Sequence, residues 1–549
     1  MKRLALLILV AAACCRGDDG EAFRRAEVHA RQFNEAARRM DQMLHAWVAH
    51  ADPRTRLIPN RLPGGRPGRG LAPGEKSRIY EPHNSGADLY PYLILAAELT
   101  DPELYRGPLL EMLRSEVRYA AARSGIPVEA LDLDSGVAGQ ASVFAGAEYL
   151  KDGLVPVSEY LGRTPWFYRM VELAATLMEG ARVESAFGRL PSTNSEVNGN
   201  LLQVCARLAL ATADPRFLEW SRRIADAYVL EVLPGNHGLP ATEWDFTERK
   251  GGGPCRLRNH GNEVISGLAL MYAVECQIGG DRCRGYRDAL RTMFDRILQS
   301  ANRDGMLYNS INPRTLQPEG DLGDQYADTW GYVYAAIYSF HQVTGEERYR
   351  DAVRHVLSNL QKYREVDWGD RGSVNGYTDT IESAIYLLAR EPVREAADWV
   401  ETEIREMEKA QQPGGLVENW YGDGNFSRTL QLYALMKSQG VRPGQWIPGL
   451  GVGAVRDGER LIIVIDGTGQ ARNWTGIVRF DSRRHHRIWG FAKSYTRLNE
   501  YPEWYTVDEN RLYRLGSAGG GGQVYLGSEL IEGIPLRAGR WVLEPMGRE

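Results

Sequence analysis

Charge of one sign, cysteine and long apolar runs are all scarce in this chain. Its 66 Lys and Arg nearly balance 71 Asp and Glu, for a formal net charge of −5 over 549 residues. That balance leaves no electrostatic footprint for nucleic acid. An acidic polymer could bind only through a local cluster of Arg and Lys. With six Cys and ten His, no Cys-x-x-Cys or His-x-x-x-His spacing points to a metal, and nothing calls for another cofactor. After the N-terminus no stretch is long and apolar enough to span a bilayer.

The first fifteen residues, MKRLALLILVAAACC, do have a pattern. Lys2 and Arg3 form a positive n-region, Leu4 to Val10 an apolar core and Ala11 to Ala13 a small-residue cleavage zone, so residues 1–15 read as a signal peptide. Cys14 follows three alanines, which resembles the lipobox of bacterial lipoproteins. The expectation is export to the periplasm or cell surface, with membrane tethering through a lipidated Cys14. Export permits disulfides. Cys276 and Cys283 flank a turn and could bridge locally. Cys255 could pair with Cys205, although Cys205 also reads as a buried thiol in an apolar helix.

What the chain does have is repetition. A unit of roughly 50–65 residues recurs, as in helical arrays. Each unit is an amphipathic helix, a turn, a polar knot and a smoother apolar helix. The charged helices are expected over 22–50, 103–123, 165–181, 216–232, 284–301, 346–363 and 392–411. Their apolar partners are expected over 87–99, 141–151, 196–212, 262–277, 327–343, 379–390 and 426–438. A helix apolar nearly all round must be buried, and one with a charged face lies outside. The pattern therefore predicts an (α/α)6–7 toroid over 22–440, an inner ring wrapped by an outer one. Residues 59–76 read as an exposed loop and 441–460 as a linker. Residues 461–549 read as a small antiparallel β domain, its strands drawn from LIIVID, TGIVRF, HRIWGFA, EWYTVD, RLYRLG, QVYLGS and GRWVLE.

The polar knots all fall at or before the starts of apolar helices: EPHNSGAD (81–88), STNSEVNGN (192–200), RNHGNEV (258–264), GDQYADTWGY (323–332), VNGYTDTIE (374–382) and YGDGNFSR (421–428). Closing the ring would gather them at one mouth. This organisation resembles the α/α-toroid carbohydrate enzymes, the six- and seven-hairpin glycosidases and polysaccharide lyases. Asn259-His260-Gly261 is similar to the Asn-His-Gly of alginate- and heparin-lyase-type enzymes. The resemblance implies a polysaccharide or oligosaccharide substrate, with Asn259 and His260 flanking a uronate and a Tyr, Tyr326 or Tyr377, moving a proton.

Two chemistries fit these residues. A lyase would neutralise the uronate with Asn259 and Arg258, and His260 or Tyr326 would take the proton. A hydrolase needs two carboxylates flanking the bond, for which Asp88, Glu196, Glu263, Asp328, Asp379 and Glu382 are candidates. The bland alternative for each is a helix N-terminus, where caps and acidic residues collect anyway. His83, Asn84 and Asn198 could orient sugar hydroxyls, and Trp244, Trp330, Tyr377 and Trp420 could stack on sugar rings. Arg428 sits on an apolar helix and needs a partner, either a substrate carboxylate or Asp423. The run Arg483-Arg484-His485-His486-Arg487 reads as a solvated turn. The favoured expectation is a uronate-dependent polysaccharide lyase. A glycoside hydrolase is the alternative, then a non-catalytic glycan-binding lipoprotein, with an epimerase a minor option.

Overall fold

The computed structural model describes residues 19–62, 78–258, 261, 263–320, 323–369, 373–417, 422–518 and 521–547. The leader-like residues 1–15, Cys14 among them, lie outside these. Seven helical hairpins follow one another, and the helix positions match the periodicity closely. The principal helices are α1 (Asp19–Val48), α2 (Tyr90–Thr100), α3 (Pro108–Tyr119), α4 (Val143–Glu148), α5 (Val155–Leu161), α6 (Pro165–Glu179), α7 (Ser195–Ala211), α8 (Pro215–Ala227), α9 (Glu263–Gln277), α10 (Arg282–Ser300), α11 (Trp330–Thr344), α12 (Glu347–Asn359), α13 (Asn375–Leu388), α14 (Arg394–Glu408) and α15 (Asn425–Ser438).

Proline begins the outer helices α3, α6 and α8, where its missing N–H costs nothing. The Asn194 side chain caps α7 by accepting from the amides of Glu196 and Val197. The inner helices are buried on all sides, as residues 263–275 of α9 illustrate. The outer helix α8 buries one stripe, Phe217, Trp220, Ser221 and Ile224. Inner helices pack on one another in chain order, and α15 closes the ring against α1 and α2. The chain is thus an α/α toroid.

Two inner elements depart from regular α-helix. Pro82–Leu89 before α2 and Tyr149–Leu154 between α4 and α5 are π-helical, and they pack against each other. Such wide turns are rare and often mark functional sites.

The main sheet of the C-terminal part is five-stranded and antiparallel, in the order Gly522–Leu526, Leu512–Ser517, Gly539–Pro545, Arg460–Gly467, Leu450–Asp457. A second antiparallel sheet pairs Thr475–Arg479 with Ile534–Arg537 and Arg442–Pro443. The segment expected as a linker, 441–460, supplies the last strand of the main sheet. Gly451 and Gly453 let it lie on α1, since a Cβ on either would overlap the backbone of Ala30 or Ala26. One apolar core runs through the toroid and onto this sheet.

HRIWGFA is not the expected strand. His485–Trp489 forms one π-helical turn, because Trp489 and Phe491 are drawn into the toroid, where both are fully buried. Of EWYTVD only Thr506–Val507 is strand. The residues between enter the ring where the inner helices end. Gln277 of α9 donates to the Gly490 carbonyl (2.8 Å), Gln342 of α11 accepts from the Thr496 amide (2.9 Å), and Arg390 beyond α13 pairs with Glu500 (2.7 Å). Residues 495–501 are buried and close that end of the ring.

Cys276 and Cys283 form the expected disulfide. Cys205 and Cys255 are buried free thiols, not a bridge. Of the expected exposed loop 59–76, residues 59–62 are described, and Asn60 and Leu62 are buried. No helix among the described residues is long and apolar enough to cross a membrane.

Candidate functional site

At the opposite end of the ring the inner helices begin, and there the structure gathers a buried ionic cluster. The two π-helical segments bring Asp88 together with Glu148, Lys151 and Asp152. The Lys151 ammonium donates to both Asp152 oxygens (2.7 and 2.8 Å) and to Glu263 (2.6 Å). Glu263 also accepts from Gln203 (2.7 Å), and Glu148 from Asn200. Asn499, carried by the inserted C-terminal segment, donates to Asp152 (2.9 Å).

Across the ring, Arg258 grips Asp328 Oδ2 with Nε (3.0 Å) and Nη2 (2.9 Å), and Asp328 Oδ1 accepts from the Thr329 amide (2.9 Å). Arg428 is the second anchor. It donates to Glu382 (2.7 Å), Asp379 (3.2 Å) and the hydroxyls of Tyr92 (3.0 Å) and Tyr332 (3.1 Å). The Tyr332 hydroxyl donates in turn to Asp379 (3.0 Å). Arg428 thus finds its partners in Glu382 and Asp379, one helix away, and not in the expected Asp423. Asp423 instead accepts from the Asn425 amide at the start of α15 (2.7 Å).

Acidic groups outnumber basic ones among the described residues of this cluster. Among the described residues, Asp88, Glu148, Asp152, Glu263, Asp328, Asp379, Glu382 and Asp423 face only Lys151, Arg258 and Arg428 as cations. The imbalance appears as weakened acidity. Burial first, then Asp152 and Asp423, hold the Asp88 carboxyl well above the usual carboxylate range. Burial and the neighbouring Asp379 push Asp328 to about 7. Burial lifts Glu382 to about 7 against the pull of Arg428. It raises Asp379 as well, although Arg428 and Tyr332 favour its charged form. Lys151 moves the other way: burial opposes its charge, but Asp152 and Glu263 hold it firmly ammonium. No group of three His, Cys, Asp or Glu side chains among the described residues is arranged to hold a metal.

The sequence candidates divide accordingly. Asp88, Arg258, Glu263, Asp328, Asp379, Glu382 and Arg428 come together. Glu196 is half-buried in the first turn of α7. Asn198 is fully buried and ties down the chain before α7, donating to the Ser192 carbonyl (2.7 Å). Asn84 donates to Glu81 (2.7 Å), which also accepts from Asn60, and the His83 ring lies 5.5 Å from Phe144.

Trp244 and Trp330 are not sugar platforms. Trp244 is buried over Gly235 and Gly251, its indole N–H on Glu231 (2.9 Å), and Trp330 is core with its N–H on Thr380 (2.9 Å). Both rings are drawn in by the apolar surface they bury. Tyr326 packs between the rings of Tyr308 and Tyr363 (5.7 and 5.2 Å), edge-on to the latter, and half-buried Tyr377 reaches Asp367 (3.3 Å). Asn259, His260 and Trp420 lie outside the described residues.

Sequence reading missed Glu148, Lys151, Asp152 and Tyr92. The signal was there: Lys151-Asp152-Gly153 interrupts an apolar stretch, and charges in a buried helix must be paired.

No protein-family model matches the sequence, and no curated protein matches it. Solved structures similar to it include a D-mannose isomerase, with 12% identity and a TM-score of 0.43 over 61% of this chain and 87% of that one. Another is the cellobiose 2-epimerase of Spirochaeta thermophila, with 13% identity and a TM-score of 0.42 over 71% of this chain and 98% of that one. A third is an inactive variant of an alpha-1,6-mannanase of Salegentibacter sp. HEL1_6 in complex with alpha-1,6-mannotriose. It shows 15% identity and a TM-score of 0.41 over 58% of this chain and 94% of that one.

Proposed function

We propose that the protein is a carbohydrate-active enzyme that hydrolyses glycosidic bonds, with Asp88 as proton donor and Asp328 as base. One observation carries this reading: among the described residues carboxyl groups outnumber cations at the mouth of the ring, and the acidity of Asp88, Asp328, Asp379 and Glu382 is weakened. A glycosidase needs one carboxyl kept protonated at neutral pH and another able to take a proton there.

Asp88 meets the first need. It is half-buried, so it reaches solvent, and burial first, then Asp152 and Asp423, favour its protonated form. Asp328 meets the second: at about 7 it is poised near neutrality. The two-pronged grip of Arg258 fixes its direction, and burial first, then Asp379 beside it, lift its pKa. In ring order Asp88 belongs to the first hairpin and Asp328 to the fifth, with the sixth and seventh between them, so a saccharide chain in the mouth would pass both.

The same cluster weighs against the lyase favoured from sequence. A uronate would have to be neutralised by Arg258 or Arg428, and both are already engaged, by Asp328, Asp379 and Glu382. The leader-like residues 1–15 support an exported enzyme, tethered through Cys14, that meets its polysaccharide outside the cytoplasm.

The test incubates the protein with neutral and uronate-bearing polysaccharides, following reducing ends and ultraviolet absorbance together. Hydrolysis gives reducing ends without absorbance, and Asp88→Asn and Asp328→Asn each lower kcat about 100-fold or more. New absorbance from an unsaturated product would instead establish β-elimination and overturn the proposal.

A further inference from the structure

The basic run read as a solvated turn is solvated only in part: Arg483, His486 and Arg487 are exposed, while Arg484 and His485 turn inward. Arg484 is buried, and its guanidinium pairs with Asp481 through two bonds (2.8 and 3.0 Å) while also donating to the carbonyl of Tyr501 (2.9 Å). It forms one wall of a cavity of about 300 Å³ between the closed end of the toroid and the C-terminal part, far from the mouth. Arg163, Arg442, Arg479 and Arg487 line the same cavity. That volume is at the lower end of small-molecule sites, which run roughly 300–1,000 Å³.

The charges do not cancel. Arg484 is matched by Asp481. Arg442 is matched by Glu98 (2.6 Å), and Tyr160 lies between these two guanidiniums, 5.2 and 5.3 Å from its ring. The other three have neutral acceptors. Arg163 donates to the Ala211 carbonyl at the end of α7, Arg479 to the Glu532 carbonyl (3.2 Å) and Arg487 to the Ser482 hydroxyl (2.9 Å). Among the described residues none of the three has an ion pair. Helix C-termini attract one cation each, which accounts for Arg163 but not for Arg479 or Arg487. Guanidiniums suit phosphate and sulfate because their paired N–H groups match two anion oxygens.

We propose that this cavity is a binding site for a phosphate or sulfate group, independent of the chemistry at the mouth. Arg479 and Arg487 are its free-charge ligands, Arg163 joins them from the ring side, and Arg442 and Arg484 are its fixed walls. The anion arrives either free or as a substituent of a small sugar. Its effect is to fasten the C-terminal segment 479–487 to the ring, since Arg163 belongs to one and Arg479 and Arg487 to the other.

The test is calorimetric titration of the full chain in a low-salt buffer free of oxyanions, with inorganic phosphate, sulfate and glucose 6-phosphate as probes. One site should saturate, weaken as potassium chloride is added, and raise the melting temperature. Equal affinity for phosphate and glucose 6-phosphate assigns the site to the free anion. Tighter binding of the latter assigns it to a phosphorylated sugar. The double variant Arg479→Ala/Arg487→Ala should bind at least about tenfold more weakly with its far-ultraviolet spectrum intact. Should that variant not fold, Arg163→Ala, an exposed residue on the ring side, gives the same reading. Absence of binding by all three probes, or unchanged affinity in a folded variant, would overturn the proposal.

Discussion

Lys151 is the residue on which the mouth most depends. It is one ammonium between Asp152 and Glu263, all three buried. Breaking a buried ion pair leaves uncompensated charge and costs about 3–5 kcal/mol. Lys151→Met should therefore destabilise the protein by that amount in urea unfolding, although methionine fills the space. Asp328 makes a prediction in pH. Its carboxyl is raised from 3.8 to about 7, so the folded state holds a proton that the unfolded state has lost. The stability this contributes is complete below pH 3.8 and disappears as pH rises through about 7. Melting temperature measured across that window should fall more steeply for the wild type than for Asp328→Asn. Catalysis runs the other way: kcat/KM should rise through about 7 as Asp328 ionises, then fall at higher pH as Asp88 loses its proton. Residue identities at the mouth were partly legible. Asp88, Asp328 and Asp379 stand in polar knots, which sequence displays. Trp244 and Trp330 stand beside similar knots, yet burial claims their rings, and no local pattern separates the two outcomes.

At the level of elements the ring was readable because each helix reveals its layer. A charged face cannot be buried without cost, and an apolar helix cannot be exposed. The π-helical segments were not readable. Their hydrogen bonding is set by packing, and their clue, Lys151-Asp152-Gly153, looks from sequence like the end of a short helix. The contact between α7 and α9 is equally invisible until the helices are placed. A Cβ at Gly199 would overlap the backbone at Glu263 and Val264, and backbone cannot swing aside. Gly199→Ala should cost about 1–3 kcal/mol. It should also displace the first turn of α9, which carries Glu263, so activity should fall more than stability alone would explain. Thermal unfolding and a kcat assay on the same preparation check both.

On the scale of the whole molecule, the C-terminal part is a stopper as much as a domain. The buried carboxylate of Glu159 joins Arg497 of the inserted segment (2.7 Å) to Arg207 of α7 (2.9 Å). Burial alone would lift its pKa, but the two guanidiniums override burial and bring it from 4.5 down to about 2. The stability it provides is present above 4.5 and is lost as pH falls toward 2. Glu159→Gln should weaken the protein by about 3–5 kcal/mol at neutral pH and flatten this part of its acid unfolding curve. The sequence marked strands here because Ile488, Trp489 and Phe491 look like sheet residues. Their burial partners are helices far away in the chain, which no window of neighbouring residues can show.

The closure of the ring also has a consequence in time. The apolar face of α1 packs against α2, α15 and the strand Leu450–Asp457. Only α2 follows it closely; the other partners lie beyond residue 425. At about 5–20 residues per second, a ribosome needs roughly 20–80 seconds to reach them. Throughout that interval a thirty-residue helix with an uncovered apolar face is attached to an open arc of hairpins whose last seat is empty. A nascent chain stalled before residue 425 should therefore be held by chaperones and be readily cut by proteases, however many hairpins it has already completed.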